Sequence, residues 1–196
     1  MFRDKRVLVT GGTGLIGRQV VKLLCEQGAK VTSVSLDSIK LEYPAEYIQG
    51  DLTDLNFCRY AIDGASYVFH LAGVKGSVDV TRKCPASFMI PMLMMNANVL
   101  EASRQAGIKG LIFTSSIGAY PDREILDETM AFDGEPMDYY PGWATRTAEL
   151  PIKTYQIQYG IDNFIPCRLS TVYGEGDNFD PDNAMVVPSL IAKFYR

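Results

Sequence analysis

The chain has 196 residues, 47% of them hydrophobic and 21% charged, with a formal net charge of −4. These figures describe one soluble globular domain, long enough to bury roughly 70% of its unfolded surface. The acidic balance, with a pI near 5.0, argues against nucleic acid or an anionic membrane as main partner, and no apolar run reaches the roughly 18 residues that cross a bilayer.

Met1 to Arg6 run straight into an apolar strand pattern, which leaves no room for a signal peptide and points to the cytoplasm. The periodicity then predicts strand 7–10, helix 14–27, and strand 31–36 ending at Asp37. Tyr47 to Asp51 read as a short strand ending in an acid, followed by helix 54–62 and strand 66–71. A long helix at 87–106 stops at Gly107, and strand 110–115 gives way to an irregular stretch at 117–138. Helix 142–159 contains Pro151, which should kink it or leave a carbonyl unpaired. Strand 163–168 and an amphipathic segment from Pro188 to the end at Arg196 complete the chain. Such alternation predicts an α/β fold, a Rossmann-type doubly wound parallel sheet with helices on both faces.

Four cysteines, Cys25, Cys58, Cys84 and Cys167, form no C-x-x-C pair, so reduced and mostly buried thiols are expected. With His70 the single histidine, a His/Cys metal site lacks its ligands, and no metal is expected. His70 itself reads as a packed strand residue, and Met89, Met92, Met94 and Met95 read as core filling on their helix.

The segment Thr10-Gly11-Gly12-Thr13-Gly14-Leu15-Ile16-Gly17 joins a buried strand to an amphipathic helix. Gly11 permits a sharp turn, Gly14 lets backbone N–H groups approach a pyrophosphate, and Gly17 lets the helix lie close. Phosphates would rest on the positive end of the helix dipole. Asp37, at the end of the second strand, is placed to accept hydrogen bonds from ribose hydroxyls and would repel a 2′-phosphate, which favours NAD; the nearby Lys40 keeps NADP open.

Together with Gly50-Asp51-Leu52-Thr53-Asp54, His70-Leu71-Ala72-Gly73, Thr114-Ser115-Ser116 and Arg168-Leu169-Ser170-Thr171-Val172-Tyr173-Gly174, this motif makes the whole chain resemble the extended short-chain dehydrogenase/reductases. The likeness is to their nucleotide-sugar epimerase/dehydratase group. Asp177 to Pro181, followed by Val186-Val187-Pro188, looks most like its GDP-fucose synthase branch, which prefers NADP. The resemblance implies a dinucleotide domain at 1–168 and the start of a substrate-binding lobe at 169–196, the rest of that lobe being truncated or missing. It implies cofactor contacts at Gly11, Thr13, Gly14, Leu15, Ile16, Gly17, Asp37, Asp51, Leu52, Leu71, Ala72, Gly73, Ser115, Thr145 and Leu169, with Asp51 reaching the adenine amino group. It also implies a homodimer built from helices 87–106 and 142–159, with Trp143, Tyr155 and Tyr159 either in that face or packed on the sheet.

The same resemblance calls for a Ser and a Tyr-x-x-x-Lys pair to move a proton. Lowering a tyrosine pKa by three units from about 10 needs about 4 kcal/mol, supplied by the lysine and the cofactor charge. Ser116 fits the serine, but the tyrosine falls on Pro141 and the lysine on Thr145. A one-residue slip brings in Tyr140, with Ala144 four residues on. The branch's additional cysteine and histidine match Gly118 and Met185, and its usual Asn before Val-Tyr-Gly is Thr171. Two readings follow. One is an NAD-dependent nucleotide-sugar epimerase, dehydratase or reductase with Ser116 and Tyr140 in a non-standard site. The other is a catalytically silent dinucleotide-binding sensor or partner subunit.

Overall fold

The structure, a computed structural model, describes residues 1–74, 78–180 and 184–195, with the backbone alone at 78–80. Pro181 and Arg196, used in the sequence reading, lie outside the described residues.

Six strands form one parallel sheet. They are β1 (Arg6–Thr10), β2 (Lys30–Ser35), β3 (Glu46–Gln49), β4 (Tyr67–His70), β5 (Gly110–Ser116) and β6 (Phe164–Leu169), in the order β3-β2-β1-β4-β5-β6. The chain builds outward from β1 in one direction and, after β3, from β1 in the other. This reversal opens a crevice at the carboxyl ends of β1 and β4, where doubly wound sheets take their ligands. The register sets Thr10 beside both Val34 and His70, and Ser116 beside Leu169. Gly11, Asp37, Asp51, Leu71 to Gly73, Ser116 and Leu169 are therefore brought to one edge of the sheet.

The helices are α1 (Leu15–Glu26), α2 (Leu55–Ile62), α3 (Val78–Lys83), α4 (Pro85–Ala106), α5 (Tyr139–Tyr159) and α6 (Val186–Tyr195). Alternate strand residues point to opposite faces. Val7, Val9 and Val31 pack under α1 with Val21 and Leu24, while Leu8, Val68, Leu111 and Phe113 meet α2, α4 and α5 through Ile62, Val99, Leu100, Ala148 and Ile152. Among the described residues no helix is long and apolar enough to cross a membrane.

Several expectations are corrected. Helix α5 starts at Tyr139 rather than 142 and is one unbroken helix through Pro151. The proline leaves the Thr147 carbonyl without its usual donor, on a residue that faces solvent. Pro91 lies inside α4 in the same way. The short helix α3 had no sequence signal. Met92 and Met95 are in the core and Met89 packs against it, but Met94 is 47% exposed. All four cysteines are free; Cys58 is buried, Cys25 and Cys167 half-buried, and Cys84 exposed.

Candidate active site

The loop between β1 and α1 is fixed by steric exclusion. Gly11 has φ +67, a region that strains any L side chain, and a Cβ there would come within 2.8 Å of the Ala72 Cα. A Cβ on Gly17 would collide with the Gly11 carbonyl oxygen, and one on Gly12 with Ser33 Oγ. Gly14 is the N-cap of α1, and no side chain caps that end, so its first N–H groups remain available to an anion. Leu15 begins the helix buried and Ile16 half-buried. Arg18 braces the loop from α1, its Nη2 donating to the Thr13 carbonyl at 2.9 Å.

Thr13 ties the loop to β2. Its hydroxyl lies 2.8 Å from Asp37 Oδ2, to which it donates, and 2.9 Å from Ser35 Oγ. The Ile39 N–H donates to Asp37 Oδ1 at 3.0 Å. The carboxylate is thus held in one orientation, and each oxygen keeps a lone pair for a ribose hydroxyl. Beside it is a pocket of about 170 Å³ lined by Thr13, Ser35, Asp37, Lys40, Tyr47 and Gln49. Asp51 is exposed after β3 and accepts the Thr53 N–H at 2.8 Å. The Leu52 side chain belongs to the core, so its approach to a ligand is through the backbone alone.

The floor of the crevice is a buried relay. His70, fully buried, sits with Nε2 3.0 Å from Asn96 Oδ1 and Nδ1 2.7 Å from Thr10 Oγ1. An acceptor at Nε2 places the ring proton there, so Nδ1 accepts from the Thr10 hydroxyl. Thr10 Oγ1 in turn accepts the Leu71 and Ala72 N–H groups, each at 3.2 Å. Those two amides are thus satisfied within the chain, and Gly73 after them is exposed. Burial pushes the His70 pKa down to about 4, so the ring is neutral. It is a packing residue, as its strand position suggested.

The carboxyl end of β5 meets the start of α5. Ser116 Oγ accepts the Gly118 N–H at 3.1 Å, which leaves its own proton for a ligand. Ser115 points the other way, its hydroxyl donating to Glu149 Oε1 at 2.5 Å. Glu149 is also paired with Arg168, Nε to Oε1 at 3.0 Å and Nη2 to Oε2 at 2.5 Å. Arg168 lies over the Tyr120 ring, 5.1 Å from its centroid, and so joins β6, α5, β5 and the following loop. Arg146, 2% exposed, donates to the Ala119 carbonyl from Nε and Nη2 and to the Gly134 carbonyl from Nη1. It pins α5 to the loop that carries Ser116.

The residues at the expected proton-transfer positions behave differently. Thr145 is buried and its hydroxyl donates back to its own helix, 3.1 Å from the Pro141 carbonyl and 3.0 Å from that of Gly142. Tyr140 is 40% exposed and stands edge-on to Tyr139 with centroids 5.0 Å apart. Leu169 ends β6, half-buried. Tyr155 is turned into the chain, donating to Glu101 at 2.9 Å and edging Phe164, while Trp143 stacks on Arg146.

Sequence reasoning missed Arg18, Arg146 and the Ser115–Glu149–Arg168 network. One signal was available: Glu149 shares a helix face with Ala144, Thr145, Ala148 and Ile152, and a carboxylate in an apolar stripe requires a buried partner.

Comparison with known proteins places these features in context. Residues 7–196 match the family described as the NAD dependent epimerase/dehydratase family. A probable GDP-L-fucose synthase of Drosophila melanogaster is 28% identical over 98% of this chain and 59% of its own length. A 3 beta-hydroxysteroid dehydrogenase/Delta 5-->4-isomerase of Mycobacterium tuberculosis is 31% identical over 88% of this chain and 48% of its own. A GDP-D-glycero-L-gluco-heptose synthase from Campylobacter jejuni, solved in the presence of NADPH, superposes with a TM-score of 0.83 at 26% identity, covering all of this chain and 56% of that one. The chain thus spans about half to three fifths of the relatives it matches.

Proposed function

We propose, from the premise that this chain belongs to the NAD dependent epimerase/dehydratase family, that it binds a nicotinamide dinucleotide and acts on a nucleotide sugar. The observation that carries this reading is the glycine loop, where an added Cβ at Gly11, Gly12 or Gly17 meets backbone or Ser33. Such a surface admits the close approach that a pyrophosphate needs. Gly14 and the first turn of α1 would hold the phosphates, and Asp37, pre-set by Thr13, would hold the adenosine ribose. Asp51 and the Leu52 backbone would reach the adenine, and Leu71 to Gly73 would line the path to the nicotinamide. The bound cofactor supplies a hydride acceptor and donor, which these residues do not. Asp37 supports NAD as the preferred form. A similar enzyme solved in the presence of NADPH and Lys40 are the grounds for NADP.

Around that centre, Ser116 donates its proton to the reacting oxygen of the sugar, with Tyr140 or water as the proton relay. Residues 169–196 form the beginning of the sugar-binding lobe. Purified protein that binds NADH, and that changes the absorbance of reduced nicotinamide when a UDP- or GDP-sugar is added, would support this reading. Absence of dinucleotide binding would overturn it.

A second reading, a dinucleotide-dependent sensor or silent partner, is favoured by one observation. The position expected for the lysine holds Thr145, whose hydroxyl is spent on its own helix. Tight cofactor binding without turnover on any nucleotide sugar would select it. Gain of activity in the Pro141→Tyr, Thr145→Lys double variant would show that the scaffold retains the rest of the site.

A further inference from the structure

We infer that the Asp138 carboxylate, in place of Tyr140 or water, takes and returns the substrate proton, an inference that rests on the nucleotide-sugar reading above. Asp138 is the N-cap residue of α5, and an aspartate there ordinarily turns its side chain onto the second or third N–H of the helix. Here it does not. Its main-chain carbonyl accepts the Gly142 N–H at 2.5 Å, but its carboxylate makes no cap bond. The side chain instead folds across the β5 loop: a Cβ on Gly118 would lie 2.5 Å from Asp138 Oδ2 and 2.8 Å from its Cβ. The carboxylate therefore occupies the volume that any larger residue at 118 would claim.

Gly118 is also the residue that fixes Ser116. The Gly118 N–H that donates to Ser116 Oγ and the Gly118 carbonyl that accepts the Asp138 N–H at 3.2 Å belong to one residue. The hydroxyl and the carboxylate are thus positioned by opposite sides of the same short turn. Arg146 holds the next residue, Ala119, by its carbonyl, and Gly142 packs against Gly118 so closely that a Cβ there would strike the Gly118 oxygen. The pair is held on rigid elements at the carboxyl edge of the sheet, where the crevice lies.

A hydroxyl with a free proton and an exposed, unpartnered carboxylate, both set by Gly118, suit oxidation of an alcohol carbon. With a nicotinamide bound as hydride acceptor, the C–H electron pair would leave as hydride, the O–H proton would pass to an Asp138 oxygen, and the O–H bonding pair would form the C=O bond against the Ser116 hydroxyl. On reduction the hydride returns and Asp138 gives the proton back. The alcohol loses two electrons and the oxidised dinucleotide gains them.

Asp138→Asn and Asp138→Ala test this against the wild-type protein, using UDP-glucose, GDP-mannose, UDP and GDP as probes. Asparagine caps a helix as well as aspartate does, so circular dichroism and NADH affinity should match the wild type in that variant. Expected are loss of the wild-type preference for sugar nucleotide over bare nucleoside diphosphate in Asp138→Ala, and a fall in hydride-transfer rate of ~100-fold in both variants. Added formate should restore part of that rate in Asp138→Ala, where space is opened, and none in Asp138→Asn. If Asp138→Ala keeps the sugar preference and the rate, this inference falls while the nucleotide-sugar reading stands. If the wild type binds dinucleotide but none of the sugar nucleotides, the broader reading falls and takes this one with it.

Discussion

The glycine cradle and the β5–α5 corner lie along the same edge of one sheet, and they are held by different kinds of atoms. In the cradle the constraints that fix the glycines at 11 and 17 are backbone against backbone: Gly17 against the Gly11 carbonyl, Gly11 against the Ala72 Cα. In the corner they are side chains acting at a distance, with Glu149 gathering Ser115 and Arg168, and Arg146 holding the Ala119 and Gly134 carbonyls. A backbone constraint tolerates one residue type at each position. A side-chain network can be redealt while the fold stays, which is how Thr145 and Pro141 can stand where a lysine and a tyrosine are expected beside an intact cofactor loop.

That contrast can be broken by experiment. The largest effect is expected from Glu149→Gln, which leaves Arg168 without its carboxylate. Removing one partner of a buried pair costs about 4 kcal/mol, read as a lower urea midpoint. NADH affinity per folded molecule should be unchanged; a parallel loss would show that corner and cradle are one unit. Acid should act on the cradle first. The folded His70 pKa is about 4 against 6.5 for the exposed ring, so between those values the unfolded chain holds the extra proton. Stability therefore rises with pH across that window and is lost as pH falls through it, by about 3 kcal/mol in all. Urea unfolding across that window measures the slope, and His70→Gln should flatten it.

Gly17→Ala drives a methyl group into the Gly11 carbonyl. A cost of about 2 kcal/mol should come with at least tenfold weaker NADH binding, about 1.4 kcal/mol, measured by fluorescence titration. Unchanged affinity would mean that the loop can yield. The smallest effect is expected from Asp37→Asn, which removes charge and keeps shape. The ratio of NADPH to NADH affinity should rise about tenfold, and no change would remove Asp37 from cofactor selection.

The same contrast governs what could be read in advance. The cradle was legible because its requirements are local: strand, glycines and helix follow within a dozen residues, and Asp37 ends the next strand. The parallel sheet with helices on both faces followed from the alternation of elements. The corner was not legible in that way. Arg168 meets Glu149 across two elements, and nothing in the spacing of the two residues announces it. Asp138 looked like one acid in an irregular stretch, because its role depends on a bond it does not make. Pro151 was expected to kink α5 or leave a carbonyl unpaired; the helix runs on with the Thr147 carbonyl short of its donor, because Ala148 and Ile152 hold it against the sheet and tertiary packing outweighs one lost hydrogen bond. Met94 was assigned to the core with its neighbours, although Met92 and Met95, three apart, define the inward face and Met94 turns away.

The relay from His70 to Thr10 has a consequence for the order of folding. Thr10 ends the first strand, yet the groups that fix its hydroxyl are 60 to 62 residues further along. An early β1–α1–β2 unit would carry every glycine of the loop and still lack the floor beneath them. The cradle closes when β4 docks beside β1, after a loop-closure cost that local contacts cannot offset. A dinucleotide bound there would add its stabilisation to the closed chain alone, and so would act as a late-stage clamp on the whole sheet.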